Sequence, residues 1–268
     1  MDIGSIENHR SREKGSLVYP VNSRRARGLS IGINLFPDRK ICSFNCPYCE
    51  VFPFPHRAEF EIEKMGADLQ LALATAREQN LVIKDICFSG NGEPSLSPHF
   101  PEALEKVYHI RNIIVPEAAV VLITNGSGLF KKDIFDLMVN KAQIGLNIWL
   151  KVDAGTEDWY KKMNQPQNCE YSLLINRIRE FSALTPFIIQ TMICKFNGMP
   201  PPNDEEEAWL KLITELSAPG KLQQVQIYGK ARPGPKDLLS EALDPGYLEK
   251  RAGALRSLIP GIPVDVFP

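Results

Sequence analysis

The sequence has no apolar run near the roughly 20 residues that a membrane-spanning helix needs. Its opening stretch, MDIGSIENHRSREKGS, lacks the apolar core of a secretory signal. Charge of one sign is not in excess either. The 31 Lys and Arg stand against 32 Asp and Glu, so the net charge is −1 over 268 residues, and no global positive field draws the protein to nucleic acid. The six cysteines, three of them in one short motif, do not form the pattern of a disulfide framework. These absences lead to an expectation of a cytoplasmic protein with reduced thiols and no membrane partner. One local exception is basic: over residues 1–40, Arg10, Arg12, Lys14, Arg24, Arg25, Arg27, Arg39 and Lys40 outnumber Asp2, Glu7, Glu13 and Asp38. From Arg10 to Lys14 this reads as a solvated segment. There is no internal repeat, low-complexity tract or clear linker.

What is present is a regular alternation. Short β-rich apolar runs fall at 30–36, 85–90, 119–125, 145–153, 187–194 and 223–229. Between and after them lie amphipathic stretches: EIEKMGADLQLALATAREQ, PHFPEALEKVYHI, KKDIFDLMVNK, EDWYKKMN with CEYSLLINRIREFS, NDEEEAWLKLITEL and SEALDPGYLEKRAGALRSL. Asn203 ahead of Asp204, Glu205 and Glu206 reads as a capping side chain followed by acids in the first turn. Strands separated by helix-length segments imply βαβ units and a parallel sheet. Six such units predict an α/β fold, a partial (β/α)6 TIM-type barrel over residues 30–268, preceded by a locally basic N-terminal extension over 1–29. In such folds the working residues sit at the C-terminal ends of the strands and in the loops that follow.

ICSFNCPYCEVF lies just after the first strand and carries Cys42, Cys46 and Cys49 in a Cys-x3-Cys-x2-Cys spacing. Three thiolates hold three corners of a [4Fe–4S] cube and leave one iron without a protein ligand, open to a substrate or cofactor. Zinc is the other reading, with His56 completing a Cys3His set. The six-residue gap from Cys49 to His56 exceeds usual finger spacing, and Pro53 and Pro55 stiffen the route. Three plain core cysteines do not suit a loop between strand and helix, which is seldom buried.

Polar signatures end the other strands. FSGNGEPSL places Gly90, Asn91, Gly92 and Glu93 after the second strand, where glycines admit a close ligand or simply turn the chain. TNGSG ends the third strand at Asn125. In LNIWLKVDAG, Ile148, Leu150 and Val152 share one face of the strand while Asn147, Trp149, Lys151 and Asp153 share the other. An apolar face suits the outer helices and a polar one a ligand-bearing lumen, although Lys151 and Asp153 would also pair at a strand end. The same parity places Gln190 on the fifth strand, and Gln226 and Tyr228 on the sixth, toward the interior. Arg24 and Arg25 upstream, and Lys230 and Arg232 in GKARPGP downstream, are read as neighbours of the active rim or as plain surface cations.

The cysteine motif, with Tyr48 before the last thiol, resembles the signature of radical S-adenosylmethionine (radical SAM) enzymes. PVNSRR, SIGINLFP, SGNGEPSL, KVDAG and QIYGKARPGP resemble the stand-alone group related to wyosine-synthesising tRNA enzymes, from about residue 19 to the end of the chain. The resemblance implies a radical SAM barrel with a [4Fe–4S] cluster on Cys42, Cys46 and Cys49, one iron of it open. S-adenosylmethionine (SAM) would bind that iron and be cleaved reductively to a 5′-deoxyadenosyl radical that abstracts hydrogen. It implies cofactor contacts from Tyr48, Gly90, Asn91, Gly92, Glu93, Asn125, Lys151 and Asp153. Lys151, Gln190 and Tyr228 would stand at the reacting centre, and an electron donor such as flavodoxin or ferredoxin would be the partner. The sequence departs from the archaeal wyosine enzymes in having no cysteine before Cys42 for a second cluster. Cys87, Cys169 and Cys194 are scattered and read as buried apolar thiols. With the near-neutral charge, this turns the expected substrate toward a small molecule or peptide. A tRNA-modifying enzyme is one alternative, a glycyl-radical activator a further one, and a non-enzymatic zinc-stabilised binding protein the alternative of a different class.

Overall fold

The computed structural model describes residues 16–51 and 59–268. In chain order its elements are β1 (Val18–Ser23), β2 (Gly28–Asn34), α1 (Ile62–Glu78), β3 (Ile83–Ser89), α2 (Phe100–Ile114), β4 (Ala119–Thr124), α3 (Lys132–Gln143), β5 (Leu146–Lys151), α4 (Glu157–Met163) and α5 (Tyr171–Leu184). They continue with β6 (Phe187–Met192), β7 (Lys195–Phe196), α6 (Asn203–Ser217), β8 (Leu222–Tyr228), β9 (Ser240–Glu241), α7 (Pro245–Leu258) and β10 (Val264–Phe267). The main sheet runs β1-β2-β3-β4-β5-β6-β8-β10. β1 is antiparallel to β2, whereas β2–β3, β3–β4, β5–β6, β6–β8 and β8–β10 are parallel. β2 to β6 and β8 carry the six strand-then-helix units that the sequence periodicity predicts. The fold is α/β, a partial (β/α)6 TIM-type barrel. Among the described residues no helix is long and apolar enough to cross a membrane.

The chain forms two compact bodies. Of the described residues, the first comprises 16–42, 59–124 and 144–147. Its parallel strands are covered on both faces, so β2 is buried at almost every position rather than at alternate ones. α1 turns Met65, Leu69, Leu73 and Ala76 inward at helical spacing. Phe88 and Phe100 meet edge to face at 5.5 Å, and each such fully buried side chain contributes about 1.5–3 kcal/mol. β1 is absent from the sequence-based expectation because VYPVNS contains Pro20, which has no N–H for a ladder. The structure seats it on the sheet edge, where that loss is tolerated. The β1–β2 hairpin turns at Arg24–Arg27. It therefore places Arg24 and Arg25 at the start of β2, the end of the strand opposite the one that leads to Cys42. This corrects the expectation that they border the active rim.

Of the described residues, the second body comprises 43–51, 125–143 and 148–268. Ile148, Leu150 and Val152 are buried as the strand parity requires. A line of rings, Phe135–Phe181 at 5.8 Å and Phe181–Phe187 at 6.4 Å, joins α3, α5 and β6. α6 contributes Trp209, Leu212, Ile213 and Leu216, and α7 contributes Leu248, Ala252 and Leu255. Two helix starts differ from expectation. Asn203 is the first residue of α6 rather than its cap, and Pro202 at the cap position makes no side-chain bond. The last helix begins at Pro245, not near residue 240, because proline is favoured in a first turn and Asp244 caps Gly246 N at 2.7 Å.

Candidate active site

In the first body, the segment leading to Cys42 is held by the loop after β3. Ile41 N donates to Asn91 O at 3.1 Å and Glu93 N donates to Ile41 O at 2.8 Å, a short parallel bridge. Gly92 makes this approach feasible, since a Cβ there would fall on the Ile41 carbonyl. Asn34, at the end of β2, accepts from Asn91 N at 3.2 Å, and Asn91 Nδ2 reaches Phe36 O at 3.1 Å. The Glu93 carboxylate is buried. Its Oε1 accepts from Ser95 N, Ser95 Oγ and Thr124 Oγ1 at 3.2, 2.6 and 2.7 Å. Gly90, Asn91, Gly92 and Glu93 thus form one rigid loop beside Ile41, with Cys42 half-buried next in the chain.

In the second body the rest of the cysteine loop is gripped from two sides. On one side lies the segment after α4. Asn45 N donates to Asn164 O at 3.0 Å, Gln167 N donates to Ser43 O at 2.7 Å, and the Phe44 ring meets Tyr160 edge to face at 5.5 Å. On the other lies the strap after β8. Lys236 Nζ donates to Asn45 O at 3.1 Å and to Gln165 Oε1 at 2.5 Å, and Ser240 Oγ donates to Pro47 O at 3.1 Å. Arg232 grips Glu50 at 2.9 Å. A Cβ on Gly234 would stand 2.5 Å from the Cys49 carbonyl oxygen. Lys230 secures the strap itself, through Asp237 Oδ1 at 2.7 Å and Ser240 Oγ at 2.9 Å. GKARPGP is therefore a clasp on the loop, a role that basic residues past a strand do not announce.

Above this loop, Tyr48, Lys151, Asp153 and Tyr228 converge. The Tyr48 hydroxyl donates to Asp153 Oδ2, Met192 N donates to Asp153 Oδ1 at 2.9 Å, and Lys151 Nζ lies 3.4 Å from Asp153 Oδ1. Lys151 also donates to the Tyr228 hydroxyl and stands 5.0 Å from the centre of each ring, Tyr48 and Tyr228. Burial lowers the Lys151 pKa, but Asp153, Tyr228 and Cys46 more than offset it, so the ammonium is held above the usual lysine range. Burial, then Asp153, pushes the Tyr48 phenol well up. Burial pushes the Cys46 thiol up to about 11.

Gln190 is not in that cluster. It lies beside Lys151 in register across β5 and β6, fully buried, and donates to Gln226 Oε1 at 2.8 Å. Gln226 donates on to Gln224 at 3.1 Å, and Gln224 to Asp265 at 2.6 Å. Asn125 bridges Ser43 Oγ at 3.0 Å and Ser127 N at 2.9 Å. Sequence reasoning missed Asn164, which joins Asp153 to Cys46 from the end of α4; an Asn after a helix carries no distinguishing signal. It also missed Glu205, whose carboxylate accepts from Gly155 N at 2.7 Å and Thr156 N at 2.8 Å and so fixes the turn after KVD. Cys87, Cys169 and Cys194 are buried free thiols, as expected.

The donor set is three free thiols, which suits an iron–sulfur cube because a cube spreads its thiolates over separate irons. Ser127 Oγ, beside Asn125, is buried without a hydrogen-bond partner among the described residues, which leaves a polar group for a ligand. His56 lies outside the described residues, and so does the Arg10–Lys14 segment.

Solved structures superpose on this fold, a radical SAM enzyme among them. A radical SAM methyltransferase from Sphaerobacter thermophilus superposes with a TM-score of 0.63 at 15% identity, over 89% of this chain and 66% of that one. Streptococcus suis SuiB bound to S-adenosylmethionine gives 0.63 at 11%, over 91% and 52%. TYW1 with a lysine–pyruvate adduct bound gives 0.56 at 15%, over 85% and 73%. At these identities the likeness is one of fold. No protein-family profile matches the chain. Among curated proteins, the GTPase Obg of Brachyspira hyodysenteriae is 31% identical over 180 residues, 64% of this chain and 24% of that protein. A UPF0026 protein of Helicobacter pylori is 27% identical over 213 residues, 77% of this chain and 63% of its own length. The chain thus spans a quarter to under two thirds of these relatives.

Proposed function

We propose that the chain is a radical SAM enzyme in which Cys42, Cys46 and Cys49 hold a [4Fe–4S] cluster with one iron left for SAM. The observation that carries this reading is the clasped three-thiol loop following the first parallel strand of a partial barrel, whose solved likenesses include a radical SAM methyltransferase and a protein bound to S-adenosylmethionine. When bound, the cluster supplies the single electron that splits the sulfonium of SAM and so provides a hydrogen-abstracting radical.

The chain's own residues orient and exclude. The loop Gly90–Glu93 and Asn125 present backbone and amide groups to SAM. Lys151, kept cationic by Asp153 and Tyr228, serves as a fixed positive charge for a carboxylate of SAM or substrate, not as a base or an amine nucleophile. Tyr48, its phenol pushed up by burial, and Tyr228 wall that charge from water, and Gln190 stiffens the sheet behind it. The reading assigns a small-molecule or peptide substrate, with tRNA the less favoured choice, and a flavodoxin or ferredoxin as electron donor.

Anaerobic reconstitution with iron, sulfide, SAM and a reductant tests it. The expected result is a brown protein with acid-labile sulfide, a reduced-cluster electron paramagnetic resonance (EPR) signal and 5′-deoxyadenosine release. Cys46→Ala should lose the release while keeping its circular dichroism. A colourless zinc protein, or an unchanged yield in that variant, refutes the proposal.

A further inference from the structure

Asn164 is 2% exposed at the C-terminal end of α4, with its backbone N–H on Tyr160 O at 2.8 Å. Its side-chain nitrogen lies 2.8 Å from Asp153 Oδ2 and 3.7 Å from Cys46 Sγ. Because a carboxylate only accepts, the nitrogen and not the oxygen of the amide must face Asp153. One of the two amide hydrogens is thereby engaged. The planar fork leaves the second for the neighbouring acceptors, Cys46 Sγ and the Tyr48 hydroxyl oxygen, the latter at 3.4 Å. The Tyr48 hydroxyl gives its own hydrogen to Asp153, so a ligated Cys46 thiolate is the stronger acceptor of the two. The contact is also built into the backbone, since Asn164 O accepts Asn45 N at 3.0 Å and lies 3.6 Å from Cys46 Sγ. The Asn164 backbone is thus tied to the loop that carries the sulfur.

We infer that Asn164 is a positioning residue that raises the reduction potential of the proposed cluster by donating an amide N–H to the Cys46 thiolate, with its other N–H anchored on Asp153. The inference rests on the functional reading above and deepens it. A hydrogen bond to a ligating sulfur withdraws electron density and favours the reduced, more negative cluster. Burial of Cys46 removes competing water and strengthens the effect. Lys151 balances the opposing field of Asp153.

The test is an EPR-monitored redox titration of the reconstituted wild-type chain beside Asn164→Leu and Asn164→Ser. Iron per chain and unfolding temperature are measured on the same samples. Both variants are expected to titrate at a more negative potential than wild type with equal iron. Release of 5′-deoxyadenosine should fall with flavodoxin as donor and persist with dithionite. Loaded variants that titrate at the wild-type potential overturn the inference alone. Variants that fold normally but hold no iron also overturn it, since Asn164 would then serve retention. A wild-type chain that assembles no cluster overturns the functional reading itself, an outcome read from a different sample.

Discussion

Replacing Asp153 with alanine removes the charge around which the second body's polar cluster is organised. The carboxylate accepts from the Tyr48 hydroxyl, from Asn164 Nδ2 at 2.8 Å and from Met192 N at 2.9 Å, and it pairs with Lys151 at 3.4 Å. Its side chain is fully buried and that of Lys151 is 14% exposed, so the orphaned ammonium gains little from water. Breaking a buried pair by removing one partner costs about 3–5 kcal/mol. The three stranded donors lie within the same network, so their separate penalties of about 1–3 kcal/mol do not add in full. A loss of about 4 kcal/mol is expected. The assay is unusually direct, because Trp149, Trp159 and Trp209 all lie in the second body. Urea unfolding of the metal-free chain, followed by tryptophan fluorescence, therefore reports on that body. Adding Lys151→Met removes the stranded charge and should recover at least about 1 kcal/mol relative to Asp153→Ala alone. A loss below about 1 kcal/mol for the single variant, or a double variant no more stable than it, refutes the reasoning.

Two further outcomes are expected. Burial lifts the Asp85 carboxyl to about 6, a rise only partly countered by Ser30 and Arg25. The folded pKa lies above the unfolded value of about 3.9, so the contribution is present below the unfolded pKa and lost as pH rises through the folded one. Wild type should therefore lose on the order of 2 kcal/mol relative to Asp85→Asn between pH 4 and 7.5; a difference that stays constant across urea titrations by far-UV circular dichroism refutes this. Lys236→Ala removes the bonds to Asn45 O and Gln165 Oε1, together worth about 1–2 kcal/mol of local closure. Opening of the cysteine loop should become about 5–30 times more frequent, read as faster iodoacetamide labelling of Cys46 and Cys49 in the metal-free chain; an unchanged labelling rate shows that the strap does not restrain the loop.

Much of the architecture was legible because it depends on near neighbours in the chain. The strand runs and helix stripes that mark β2 to β6, β8 and α1 to α7 are local periodicities, and the parity of LNIWLKVD correctly separated Ile148 and Leu150 from Lys151. β1 escaped because Pro20 disguises an edge strand, and β10 because VDVF is too short to carry a period. Asn203 was misread because a good capping residue competes with the proline before it for the same role. Arg24 and Arg25 were placed by nearness in sequence, whereas the antiparallel hairpin carries them to the far end of β2.

The sequence by itself determined the class of fold, the three-thiol loop and the strand ends that bear polar groups, because spacing and alternation act over a few residues. Only the tertiary structure decided which groups serve them. Asn164 meets Cys46 from 118 residues away and Lys236 meets Asn45 from 191. Such pairings depend on how strands stack and where loops return. A hydrogen bond has a range of about 3 Å, so its partner is chosen by the folded path of the chain and leaves no trace in the order of residues.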